Sequence, residues 1–75
     1  MEKKVKDIMA RVFNVDPASI TEETSPHSII TWDSLTHIDL IMALQDEFKI
    51  QFEDGEIPTM ISFQMILNTI KVYQE

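Results

Sequence analysis

The sequence contains no cysteine. That removes a disulfide framework, a thiolate zinc site and a cysteine nucleophile together, and leaves stability to packing alone. One glycine, Gly55, in 75 residues excludes the glycine-rich phosphate cradles, among them the dinucleotide fingerprint and the Walker loop. Positive charge is also scarce. Six Lys and Arg stand against thirteen Asp and Glu, for a net charge of −7. Most of the bases fall within residues 1–11, so the rest of the chain is strongly acidic. Nucleic-acid binding needs clustered Lys and Arg, which this body lacks; basic protein surfaces are its natural complement.

Long apolar runs are missing too. The longest is Leu40-Ile41-Met42-Ala43-Leu44, far short of the roughly 20 residues that cross a bilayer. Met1-Glu2-Lys3-Lys4 leads into an amphipathic segment and not a signal-peptide core, so a cytoplasmic chain without a membrane span is expected. At this length the expectation is one domain over residues 1–75, burying about 60% of the surface its unfolded chain exposes. Such a domain is marginally stable and leaves little room for a walled active site.

What is present is helical periodicity. Val5, Ile8, Met9, Val12 and Phe13 form one stripe of a 3.6-residue repeat, with Lys4, Lys6, Asp7 and Arg11 opposite, predicting a first helix over 2–14 that ends near Asn14. Residues 15–33 read as a long loop. Asp16-Pro17 and Ser25-Pro26 disfavour helix, and Ser19, Thr21, Thr24, Ser28 and Thr31 compete for backbone hydrogen bonds. Ile20, Ile29, Ile30 and Trp32 should pin this loop across the core. A second helix is predicted from Ser34 to Phe48 or Lys49, with Asp33 and Ser34 as candidate caps. A short helical turn within 54–60, capped by Asp54, and a last helix after Ser62 complete the pattern. In the last helix Phe63, Ile66, Leu67, Ile70 and Tyr73 face inward, with Gln64, Asn68 and Lys71 outward. The fold class is therefore all-α: a small bundle of three main helices plus one short one, with a long loop between helices 1 and 2.

The second helix carries more apolar surface than one core face needs. At 100° per residue from Ser34, the residues Leu40, Ile41, Leu44 and Phe48 share an arc between about 240° and 340°, the expected core face. Leu35, Ile38 and Met42 occupy a separate strip between about 40° and 100°, bordered by Asp39 and Asp46. An apolar strip edged with carboxylates suits docking: apolar contact supplies affinity, and charge sets orientation and encounter rate. Burial of the helix on two sides is the structural alternative.

Candidate chemistry is sparse. Ser34 and His37 lie three apart, with Asp33 and Asp39 nearby, so a Ser/His/Asp hydrolase is conceivable. The sequence supplies neither a Gly-x-Ser-x-Gly elbow nor oxyanion donors for it, and an exposed helix offers no dry pocket. His37 reads as a helix-surface residue and His27 as a loop residue. Two isolated histidines make no metal site. Glu53-Asp54-Gly55-Glu56 lacks calcium-loop spacing and suggests at most weak divalent-cation affinity. The remaining feature is a serine at the mouth of a helix, after an aspartate and before an apolar anchor, which reads as a modification site.

Asp33-Ser34-Leu35, continued by Thr36-His37-Ile38-Asp39-Leu40-Ile41-Met42-Ala43-Leu44-Gln45-Asp46-Glu47-Phe48, strongly resembles the Asp-Ser-Leu signature and recognition helix of acyl carrier proteins. The resemblance extends over nearly the whole chain, through Val15-Asp16-Pro17 and Ser62-Phe63. It implies that a phosphopantetheinyl transferase attaches the 4′-phosphopantetheine of coenzyme A to Ser34 through a phosphodiester, flanked by Asp33 and Leu35. It implies a carrier and not an enzyme, with no metal of its own, holding acyl intermediates of fatty-acid, polyketide or related biosynthesis as thioesters. The absent cysteine fits, since the reactive sulfur comes with the cofactor. Leu35, Ile38, Asp39, Met42, Asp46 and Glu47 then stand where the family meets acyl-loading, condensing and transfer enzymes with basic patches. A free-standing monomer is expected.

This sequence departs from the fatty-acid carriers at four places. Thr31 stands where they usually have glycine, and Trp32 follows where a small residue is common; Thr36 and Gln45 replace frequent carboxylates. Tryptophan before Asp-Ser-Leu is more similar to free-standing carriers of specialised clusters. An aminoacyl or peptidyl carrier and an unmodified acidic adaptor of the same fold are the alternatives.

Overall fold

The computed structural model describes residues 1–74, which form three helices and two 3₁₀ turns and, among the described residues, no strand. The helices are α1 (Glu2–Phe13), α2 (Ser34–Phe48) and α3 (Phe63–Gln74); the 3₁₀ turns are Pro17–Ser19 and Ile57–Thr59. α1 buries its stripe: Val5, Ile8, Met9 and Phe13 lie inside. Asn14 ends the helix in the left-handed region at φ 58°, and its N–H donates to the Ala10 carbonyl. α2 ends in the same way at Lys49, φ 56°, with its N–H on the Gln45 carbonyl. Leu40, Ile41 and Leu44 of α2 are buried, as is the Phe63, Ile66, Leu67 and Ile70 stripe of α3, while Phe48 is only half-buried against this core. The Ser62 hydroxyl accepts from the Met65 N–H at 3.1 Å and caps α3.

The long loop is more structured than its composition announces. Asp16 caps the Pro17–Ser19 turn through a 2.9 Å bond from the Ala18 N–H. The Phe63 N–H donates to Thr24 O at 3.0 Å and the Gln64 N–H to Glu22 O at 3.4 Å. The loop thus supplies acceptors for two otherwise orphan donors at the start of α3. Ile20, Ile29 and Trp32 pin it to the core, but Ile30 does not and is 97% exposed. A turn closed from the Trp32 N–H to Ile29 O at 3.1 Å turns residues 29 and 32 inward and leaves Ile30 at its apex.

The cap expected at Asp54 is also corrected. The short turn begins at Ile57, three residues beyond Asp54, and no side chain caps it. Glu56, immediately before it, is drawn elsewhere: its Oε1 accepts from the Glu53 N–H at 2.9 Å and from the Tyr73 hydroxyl. That carboxylate closes the acidic turn and fastens it to the last helix.

Candidate functional site

The start of α2 is fixed by three short side chains. Asp33 Oδ1 accepts from the N–H groups of Leu35 and Thr36, both at 3.0 Å, and the Asp33 N–H donates to Thr36 Oγ1 at 2.9 Å, a reciprocal capping box. The Thr36 hydroxyl donates to Thr31 O at 2.6 Å, and the Thr31 hydroxyl to Phe13 O at 2.6 Å. A hydrogen-bonded path therefore runs from the end of α1 to the first turn of α2. These bonds explain Thr31 and Thr36, the two threonines that depart from the fatty-acid carrier pattern. Gln45, the other replaced carboxylate, accepts from the Phe52 N–H at 2.9 Å and holds the chain beyond α2. The Asp33 carboxyl lies below the ordinary carboxylate value, foremost because the Thr36 N–H donates to its charged form.

Ser34 is the first residue of α2 and is exposed. It stands at the positive end of the helix dipole, which favours an anionic substituent there. Beside it lies a groove of about 410 Å³ lined by Asp33 and Ser34, by the apolar Pro26, Ile38, Ile57, Pro58 and Ile61, and by Trp32 and His37.

His37 is not the simple surface residue expected from its spacing. The buried Trp32 indole N–H donates to His37 Nδ1 at 3.0 Å, and His37 Nε2 lies 2.8 Å from Ile57 O. The indole can only donate, so Nδ1 accepts and the ring proton sits on Nε2. Both nitrogens are thereby engaged away from Ser34. This histidine cannot serve as the base of a Ser34 nucleophile, and the hydrolase reading fails on geometry. One sequence signal bore on it: a buried tryptophan usually finds a partner for its N–H.

Of the residues read as a partner face, Leu35, Ile38 and Met42 are 73%, 47% and 63% exposed, a continuous apolar strip that packing leaves uncovered. Asp39 and Asp46 are exposed beside it. Glu47 is exposed but turns toward α1, where its carboxylate meets Lys4 Nζ at 3.5 Å. The helix is thus buried on one side and bare on the other.

Comparison with known proteins decides what this arrangement is. The family model described as the phosphopantetheine attachment site matches residues 3–62. The acyl carrier protein of Buchnera aphidicola subsp. Baizongia pistaciae is 37% identical over 73 residues, covering 97% of this chain and 94% of its own. That of Clostridium acetobutylicum is 38% identical over 73 residues, covering 97% and 95%. The chain belongs to the acyl carrier protein family. A third relative, the acyl carrier protein of Thermosynechococcus vestitus, is 37% identical over 68 residues, covering 91% and 84%. As a member of the acyl carrier family the chain is a phosphopantetheine carrier and not a catalyst, and 4′-phosphopantetheine is its cofactor. An exposed serine hydroxyl at a helix N-terminus, opening onto an apolar groove, fits that group. No helix of the described residues is long and apolar enough to cross a membrane.

Proposed function

We propose that Ser34 is the attachment point, that residues 1–75 act as one cytoplasmic carrier domain, and that the cargo is an acyl intermediate of fatty-acid, polyketide or related biosynthesis. The exposed Ser34 hydroxyl carries this reading: it combines access, the helix dipole and the adjoining groove. A phosphopantetheinyl transferase joins the Ser34 oxygen to the phosphorus of coenzyme A that bears the pantetheine, releasing the nucleotide part. When bound, the group supplies a terminal thiol on a flexible tether that holds the cargo as a thioester and raises its effective concentration at a partner's active site. Asp33 holds the first turn of α2 in place, and Leu35 extends from it as the first apolar contact. Ile38, Met42, Asp39 and Asp46 continue the face offered to acyl-loading, condensing or transfer enzymes with basic patches, with Glu47 at its margin. The thinned acidity at Thr36 and Gln45 favours a dedicated partner set over general fatty-acid enzymes.

The test is the intact mass before and after incubation with coenzyme A, magnesium and a broad-specificity transferase, beside Ser34→Ala. One phosphopantetheine increment, absent from the variant, is the expected result. No increment on folded protein overturns the reading in favour of an unmodified adaptor.

A further inference from the structure

The groove lining includes two residues that carrier chemistry does not use. Trp32, 4% exposed, stacks on Phe13 with centroids 4.7 Å apart and lies nearly parallel to the His37 ring at 6.1 Å. His37 takes the indole N–H on one nitrogen and gives its own N–H to Ile57 O from the other. One imidazole therefore ties together the end of the long loop, the first turns of α2 and the second 3₁₀ turn. The core residues Leu40, Leu44, Met60 and Phe63 are each at most 2% exposed, and none lines the groove. The groove is thus lined by two members of this bridge and by none of these four core side chains.

We propose that the Trp32–His37–Ile57 bridge is a latch that keeps a tethered apolar chain in the open groove and out of the interior, making His37 a specificity-determining positioning residue. The proposal rests on Ser34 as the attachment point. A chain entering between α2 and the Ile57–Thr59 turn must push the imidazole aside. That leaves the buried indole N–H and the Ile57 carbonyl without partners, a penalty set against the gain from burying methylenes. The carrier then presents cargo without sheltering it, and its own stability does not register chain length. Short or polar acyl groups, which gain little from a dry interior, are the cargo class that suits such a surface.

The experiment loads the wild type and His37→Ala with acetyl, butyryl, hexanoyl and octanoyl phosphopantetheine, checks each by intact mass, and measures thermal unfolding. In the wild type the melting temperature should move by no more than about 1 °C along the series, whereas buried methylenes would raise it by several degrees. His37→Ala should start lower and climb with chain length, a pattern that simple destabilisation does not produce. Trp32→Phe keeps an aromatic ring over Phe13 but removes the N–H together with part of the indole; it should climb less steeply, and it carries the test if His37→Ala does not fold. A wild type that climbs, or variants that stay flat, overturns the latch. Should Ser34 accept no arm, the mass reveals that failure separately. The latch is then read on unmodified protein from exchange of the Trp32 indole N–H: acceleration of about tenfold or more in His37→Ala supports it, and an unchanged rate overturns it.

Discussion

Asp33 is asked to do two things, to cap α2 and to stand beside Ser34, and substitutions separate them. Asparagine caps about as well as aspartate, whereas alanine does not. Asp33→Asn should therefore melt close to wild type at pH 7, and Asp33→Ala on the order of 5 °C lower. Acid should distinguish them further. The Thr36 N–H lowers the Asp33 carboxyl, and the Tyr73 hydroxyl lowers Glu56. A carboxyl depressed on folding contributes stability that is complete above its unfolded value and is lost as pH falls through the folded one. Melting temperature should thus hold above about pH 5 and fall below about pH 4, less steeply in Asp33→Asn. Tyr73, raised foremost by its bond to Glu56, works in the opposite sense: its contribution is present below its unfolded value and disappears as pH rises through the folded one. An acid limb identical in wild type and Asp33→Asn would show that the cap is not what titrates.

At the scale of the element, α2 shows why some features were legible and others not. Its limits follow from Asp33, a strong cap, and from apolar spacing through Phe48, both local signals. The bare strip of Leu35, Ile38 and Met42 was legible because a helix with two apolar arcs can bury only one against α1 and α3. The Trp32–His37 bond was not legible, since it needs the loop's final turn to aim the indole back over α2. Ile30 misled for the same reason: hydrophobicity names candidates for burial, but a tight turn decides which of them face inward. The cap at Asp54 failed because the turn starts three residues further on, at Ile57, while Glu56 just before it bonds to the Glu53 N–H and the Tyr73 hydroxyl. Two predictions belong here. Lys49 ends α2 at φ 56°, where a Cβ is strained, so Lys49→Gly should raise stability by about 0.5–1 kcal/mol, visible in urea unfolding as a higher midpoint at constant slope. On the bare face, Met42→Ala and Asp39→Asn should each lower kcat/KM for acyl transfer to a partner by about tenfold, with phosphopantetheine still attached and melting nearly unchanged. Full transfer rates in both variants would move the docking surface off α2.

For the whole molecule the dominant fact is a charge of −7 on 75 residues. Two opposed electrostatic contributions respond to salt. Lys4 and Glu47 join α1 to α2 at 3.5 Å, but both are well exposed, and pairs of this kind are worth about 0.2–1 kcal/mol at most. Lys3 and Asp7 lie within one helix and add less to tertiary stability. Against them stands the mutual repulsion of the excess carboxylates, three of which, Asp39, Asp46 and Glu47, share α2 with no basic residue. Screening weakens both contributions, yet the repulsion sums over many pairs, while among the described residues one ion pair joins two helices. Repulsion should win. Raising ionic strength from about 10 mM to 0.5 M shortens the screening length from about 30 Å to a few ångströms, and the melting temperature should rise by several degrees. Sodium chloride and choline chloride should act alike if screening is the cause; magnesium at matched ionic strength should add to it only if the carboxylates bind the ion. A melting temperature indifferent to all three salts would mean that the fold has already dispersed its acidic charge far enough for repulsion not to matter.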